Sequence, residues 1–151
     1  MAELLDAGNP MPEFETVDQN GKKFRSSDIK GKVSVIYFYP KDNTPGCTTE
    51  ACGFRDSMDE YRKHGIEVYG ISVDSQSSHK KFEDKYGLNF TLLADDKKEI
   101  SEKFGVLGER SAKRVTFIVD KNGKIVHVFP KVSPKGHSEE VMNKIRELNI
   151  L

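Results

Sequence analysis

Two cysteines stand five positions apart, Cys47 and Cys52, and the chain has no others. In thiol chemistry the thiolate is the nucleophile, so reactivity follows from whatever holds negative charge on sulfur. Cys47 lies just past an extended apolar run, residues 33–39, where a helical pattern is about to begin. A helix start offers unpaired N–H groups and the positive end of the macrodipole, and both favour a thiolate over a thiol. Cys52 follows at i+5. Five helical residues turn through about 500° and rise about 7.5 Å, which puts the two Cα atoms roughly 8–9 Å apart, beyond the span of a disulfide. The pair can bond only if the first helical turn unwinds. A C-x-x-C pair needs no such melting, so this spacing serves a different chemistry. Thr44 adds a hydroxyl shortly before Cys47, and Pro40 marks the strand exit. Ligands of open α/β sheets bind outside the carboxyl ends of the strands, and Cys47 is at such a place.

Hydrophobic period predicts the elements that position these residues. Residues 14–17 and 22–24 read as short strands around Gln19-Asn20-Gly21, and Asn-Gly between two such runs signals a hairpin. Residues 33–39 (VSVIYFY) read as a central strand buried on both faces. A helix is expected over 48–64, with Ala51, Phe54, Met58 and Tyr61 on one face and Gly65 closing it. A strand over 66–73 follows. Ser77 or Ser78 is expected to cap a helix ending before Gly87. Residues 90–93 form a short strand, and Asp95 or Asp96 opens a helix ending before Gly105. Residues 115–119 and 124–129 flank Asp120-Lys121-Asn122-Gly123 as a second hairpin, and Ser138 caps a last helix over 139–148. Alternating strands and helices give parallel pairing, and the closing hairpin makes the sheet mixed. The expectation is an α/β fold: a central mixed β-sheet flanked by helices on both faces, with an N-terminal β-hairpin extension. The whole chain, 1–151, reads as one domain.

Composition narrows the function classes. Lys plus Arg and Asp plus Glu both number 24, so the formal net charge is zero. That balance argues against a nucleic-acid binder and against a polybasic membrane-surface protein. Hydrophobic residues are 36% and charged residues 32%, which suits a well-solvated globular domain. No run approaches the roughly 18 apolar residues of a membrane span. The N-terminal stretch is acidic and broken by Pro10 and Pro12, unlike a signal peptide. A secreted disulfide scaffold would carry more cysteines, so a reducing cytoplasm is the expected compartment.

Pro40, Thr44 and Cys47 fall in the pattern P-x-x-x-T-x-x-C, within the run YPKDNTPGCTTEAC at 39–52. This run resembles the active-site motif of peroxiredoxins, and more narrowly that of the peroxiredoxin Q or bacterioferritin comigratory protein branch. Residues 114–120 (RVTFIVD) and Lys135-Gly136-His137 fit the same resemblance, which covers nearly the whole chain. It implies a thioredoxin-like fold. It also implies roles. Cys47 is the peroxidatic cysteine, which a hydroperoxide oxidises to sulfenic acid. Thr44 hydrogen-bonds the bound peroxide, and Pro40 shields the thiolate from water. Arg114 pairs with sulfur and peroxide oxygens, and Glu50 orients that arginine. Cys52 is the resolving cysteine, forming an intramolecular disulfide after local unfolding. The resemblance implies no metal or organic cofactor, and a thioredoxin or glutaredoxin-like dithiol as reductant. A resolving cysteine on the same helix requires no second subunit, so a monomer is expected. Residues 105–114 (GVLGERSAKR) form a shorter segment than many relatives carry.

Plainer readings stand beside this one. Two cysteines on one helix are commonly buried small hydrophobes. A metal site would need His127 or His137 beside them, and i+5 is not a usual structural-zinc spacing. A general thiol–disulfide oxidoreductase and a redox-sensing or holdase module are the rival functions. The remaining histidines read as incidental: His64 as a cation at a helix end, His79 as exposed, His127 in a strand, and His137 as a cap or solvent contact. Asp74 and Asp120 read as turn-formers.

Overall fold

The computed structural model describes residues 3–151. In chain order the elements are β1 (Glu15–Val17), β2 (Lys23–Arg25), β3 (Val33–Phe38), α1 (Pro45–Lys63), β4 (Ile66–Ser72), α2 (Gln76–Tyr86), β5 (Thr91–Ala94), α3 (Glu99–Phe104), β6 (Val115–Val119), β7 (Ile125–Phe129) and α4 (His137–Leu148). Every residue of β3 is buried, Ser34 included, as its run of β-branched and aromatic side chains broken only by that serine requires of a strand covered on both faces. It sits at the centre of a five-stranded sheet ordered β5-β4-β3-β6-β7. β3 runs parallel to β4 and antiparallel to β6. The sheet is mixed, as the sequence predicts.

Alternation along β3 divides the core. Val35 and Tyr37 point to a cluster with Phe54, Met58 and Tyr61 of α1, Phe82 of α2, and Val141 and Ile145 of α4. Ile36 and Phe38 point the other way, to Ile100 and Phe104 of α3 and to Phe14 and Ile29 of the N-terminal arm. The arm's hairpin, β1 with β2, is a separate two-stranded sheet, fastened to the edge strand β5 by a bridge from Asp18 to Leu93, by the Thr16 hydroxyl donating to Ala94 O and by Leu92 N donating to Gln19 Oε1.

Several helix starts differ from expectation. α1 begins at Pro45 instead of residue 48, with Thr44 as N-cap. Proline suits the first helical position because it has no N–H to leave unpaired and its φ is already helical. Cys47 therefore lies inside the first turn. α2 is capped by Ser75, whose hydroxyl accepts from Ser78 N at 3.2 Å, not by Ser77 or Ser78. Asp95 does serve α3, but from four residues before it. Its carboxylate accepts from Ile100 N at 2.9 Å and Ser101 N at 2.8 Å. α4 starts at His137, following Gly136 with φ 76°.

Gly70 in β4 shows how closely the layer under α1 is filled. A Cβ there would lie 2.9 Å from Tyr37 Cζ and 3.0 Å from Leu92 Cδ2. Neither neighbour has a free direction, because both are buried in the same cluster. Gly70→Ala is expected to destabilise the fold by about 1–3 kcal/mol. Urea denaturation would show this as a lower midpoint at unchanged slope.

Candidate active site

Strand directions bring distant residues to one edge of the sheet. Phe38, the last residue of β3, pairs with Ile71 near the end of parallel β4 and with Val115 at the start of antiparallel β6. The end of β3 therefore abuts the beginning of β6, and the residue preceding Val115 is Arg114. A tight turn sets its approach: Gly108 N donates to Ser111 O at 2.8 Å, and Lys113 N donates to Val106 O at 2.8 Å. The short 105–114 segment thus carries Arg114 directly from α3 to the mouth of α1.

Arg114 Nη2 donates to Cys47 Sγ at 3.3 Å, and Nη1 donates to Glu50 Oε1 at 2.6 Å. The two acceptors lie three residues apart on α1, so they share a face of the helix. The guanidinium presents two donors in a fixed plane and engages both at once. Gly46 makes room for it. A Cβ at that position would come within 3.1 Å of Nη2 and 3.5 Å of Pro134 Cγ. Cys47 and Glu50 are both buried, at 1% exposure, whereas Cys52 is half-buried farther along the helix. Both cysteines are free thiols.

Burial dominates the electrostatics. It pushes the Glu50 carboxyl up from 4.5 to about 7, and the Arg114 charge and hydrogen bond pull it only part of the way back. Glu50 Oε2 and Tyr37 Oη are buried without a hydrogen-bond partner. Tyr37 is raised well above its ordinary value by burial, then by the negative groups at Glu50 and Cys47. Burial opposes charge on Arg114, but Glu50 and Cys47 more than offset it, so its pKa rises. The arginine stays cationic in a nearly dry setting, where a charged donor is worth more than in water.

The other candidates are placed as follows. Pro40 is half-buried at the exit of β3, heading the loop to α1. Thr44 is the N-cap, but its hydroxyl donates to Lys41 O at 2.9 Å instead of capping the helix. His79 is not exposed as expected. It is fully buried, with Nδ1 2.7 Å from Asp42 Oδ2 and Nε2 3.0 Å from Leu93 O. The signal for this is in the spacing, since 79, 82 and 86 lie on one face of α2 with two aromatics. His137 is also buried, between Thr116 Oγ1 and Glu140 Oε1 at 2.8 Å each. Burial, with the Arg114 charge, lowers its pKa against the pull of Glu140. Asp74 does more than form a turn, because its Oδ2 accepts from Asp42 N at 2.8 Å. Among the described residues, Asp42, Asp74 and His79 are the group with ligand atoms close enough for a cation, within 4.8 Å of one another. Hydrogen bonds already join them to each other. No such group contains either cysteine. No helix among the described residues is long and apolar enough to cross a membrane.

Comparison with known proteins places this arrangement in a family. The AhpC/TSA family matches residues 7–128. Peroxiredoxin Bcp of Escherichia coli K12 is 42% identical over 151 aligned residues, covering 95% of this chain and 97% of that one. A crystal structure of a cysteine-to-serine mutant of Xylella fastidiosa PrxQ superposes with TM-score 0.92 at 28% identity, covering 99% of each chain. Structures that address the alkyl peroxide reduction activity of Xanthomonas campestris bacterioferritin comigratory protein superpose with TM-score 0.88 at 31% identity, over 94% of this chain and 98% of that one. The mixed sheet with its flanking helices is that of these thioredoxin-like structures. With its only cysteines on α1 and Arg114 brought onto the first of them, the chain belongs to the AhpC/TSA family, among the peroxiredoxins of the Bcp and Q kind.

Proposed function

We propose that this chain is a thiol-dependent peroxidase that reduces hydrogen peroxide and small alkyl hydroperoxides, acting as one domain over residues 1–151. The observation that carries the reading is the 3.3 Å hydrogen bond from Arg114 to the buried Cys47 sulfur. A guanidinium cannot release its charge near neutral pH, so it favours negative charge on whatever it touches. The Cys47 thiolate attacks the terminal oxygen of the peroxide. The S–O bond forms as the O–O bond breaks, and sulfur gives up two electrons. The departing hydroxide or alkoxide takes a proton from solvent. Negative charge moves from sulfur to the leaving oxygen, and Arg114 can follow it because its donors face that region before reaction begins. Thr44 Oγ1 donates to Lys41 O and so retains lone pairs to accept the peroxide O–H. Pro40 limits water at the loop side.

Cys52 resolves the sulfenic acid. Its thiolate attacks the Cys47 sulfur, an S–S bond forms, and hydroxide departs and is protonated to water. The two residues share α1, so the first turn must unwind beforehand. An external dithiol of thioredoxin or glutaredoxin type then exchanges with the disulfide and becomes oxidised in its place. The cycle needs no metal or organic cofactor, no nucleic acid and no membrane. A monomer in the cytoplasm suffices for it. A general protein-disulfide reductase is disfavoured, because i+5 spacing holds the thiols apart in the folded helix. A sensor role would show as slow oxidation and a tight protein partner.

One equivalent of hydrogen peroxide should consume both thiols of the reduced protein rapidly and give an intramolecular Cys47–Cys52 disulfide by mass. Cys47→Ser should lose turnover completely. Cys52→Ser should keep one fast oxidation but stall in the thioredoxin-coupled assay. Full activity in Cys47→Ser would sink the assignment.

Glu50 gives a prediction in pH. Its folded pKa of about 7 lies above the ordinary 4.5, so the fold favours the neutral carboxyl. That contribution is complete below about pH 4.5 and is lost as pH rises through about 7, on the order of 3 kcal/mol in all. Glu50→Gln should remove this slope. The stability of the wild type relative to the variant should fall between about pH 4.5 and pH 7 and level off above that in parallel urea titrations. A constant difference would mean that Glu50 is ionised throughout.

A further inference from the structure

The loop before Cys47 is fastened by a buried side-chain network that the reaction described above does not use. Asp42 Oδ1 accepts from Tyr39 Oη at 2.6 Å. Asp42 Oδ2 accepts from Ser78 Oγ at 2.8 Å and lies 2.7 Å from His79 Nδ1. The Asp42 backbone N–H donates to Asp74 Oδ2, which also takes the Ser72 hydroxyl at 2.6 Å. On the far side of the imidazole, Nε2 is 3.0 Å from Leu93 O. A carbonyl oxygen only accepts, so Nε2 is the donor to Leu93 O. His79 is 0% exposed and Asp42 is 7% exposed. The ring therefore ties the loop to the backbone of β5 as well as to its own helix α2.

The next loop residue is held by the same helix. Asn43 has φ 59°, a left-handed conformation that a non-glycine residue adopts at some cost. Its Oδ1 accepts from Tyr86 Oη at 3.0 Å and Lys85 Nζ at 3.2 Å. Thr44, the N-cap of α1, follows immediately. Cys47 is thus held from two directions. Arg114 grips it from β6, and the chain leading into it is fixed by side chains of α2.

We propose that His79 is a positioning residue: through the buried Asp42–His79 contact it fixes residues 40–44, and with them the first turn of α1, where Cys47 meets Arg114. The inference rests on the peroxidase reading. It separates the two steps of that cycle. Attack on peroxide needs Cys47 held against Arg114, and small misplacements of reacting groups can cost about a hundredfold in rate. Disulfide formation needs the same turn to let go. Loosening the loop should therefore slow the first step and leave the second as fast or faster.

Rapid-quench kinetics can test this on the reduced full-length protein. Two numbers are needed: the second-order rate of Cys47 oxidation by hydrogen peroxide, and the first-order rate of Cys47–Cys52 disulfide formation. His79→Leu is expected to lower the first by at least about tenfold without lowering the second. Asp42→Asn should act in the same direction, and the double variant should be no slower than the slower single one. Ile125→Ala, on the opposite face of the sheet, supplies a control that is destabilised without touching the loop. It should oxidise at the wild-type rate when measured well below its melting temperature. If His79→Leu fails to fold, His79→Gln and Asp42→Asn decide the matter. Oxidation within twofold of wild type in the folded variants overturns the inference, as does equal slowing of both steps. A wild type that itself reacts only over many minutes sinks the peroxidase reading, and this inference with it.

Discussion

Arg114 brings a permanent positive charge into the protein interior and divides it between a sulfur and a carboxylate oxygen. Its side chain keeps 18% of its exposure, and the Glu50 side chain keeps none. Placing such a group there is unfavourable unless its donors are matched. Much of the surrounding structure supplies the match. Antiparallel β6 begins where β3 ends, the Gly108–Ser111 turn aims the arginine, and Gly46 leaves space for its Nη2 atom. α1 begins early enough for Cys47 and Glu50 to share a face. Altering any one of these would cost Arg114 a contact with the buried Cys47 or Glu50.

A second constraint pulls against the first. The two cysteines sit on one helix at a separation that forbids their bond. In the proposed cycle the first turn of α1 must be firm enough to present Cys47 and weak enough to open. Thr48 N donates to Thr44 O at 2.8 Å, and the Thr49 hydroxyl donates to Pro45 O at 3.0 Å. These local bonds can exchange with water when the turn opens. Farther along, Ala51, Phe54, Met58 and Tyr61 are at most 1% exposed. Melting there would expose large apolar surfaces, at about 25 cal/mol per Å². Unwinding before Ala51 gives up the Arg114 contacts of Cys47 and Glu50 but little apolar surface, whereas unwinding past it also exposes the apolar face, and Cys52 lies at that boundary.

Much of this is legible in the sequence. The VSVIYFY run marks the central strand by composition alone, and the two Asn-Gly hairpins by turn chemistry. Cys47 stands out because a strand ends and a helix starts beside it. The proximity of Arg114 and Cys47 is not readable from local pattern. It depends on the antiparallel pairing of β6 with β3, which brings together two residues 67 positions apart in the chain. The early start of α1 escapes a reading of apolar period, because Pro45 and Gly46 carry no such period while proline at N1 still starts the helix. His79 escapes because a histidine among lysines and serines looks solvated, although its spacing to Phe82 and Tyr86 places it on the buried face. Its partner Asp42 lies 37 residues away, a pairing that only the tertiary fold creates.

In the proposed mechanism Arg114 stabilises charge that moves from sulfur to oxygen, beyond simply holding a reactive sulfur. Arg114→Lys keeps a cation but loses the planar pair of donors. The most direct measurement compares two reagents on this variant under one set of conditions. Hydrogen peroxide needs stabilisation of a leaving oxygen, whereas iodoacetamide needs only a nucleophilic sulfur. The rate with peroxide should fall by about a hundredfold or more while the rate with iodoacetamide changes far less. Equal losses with both reagents, or no loss with peroxide, would contradict it.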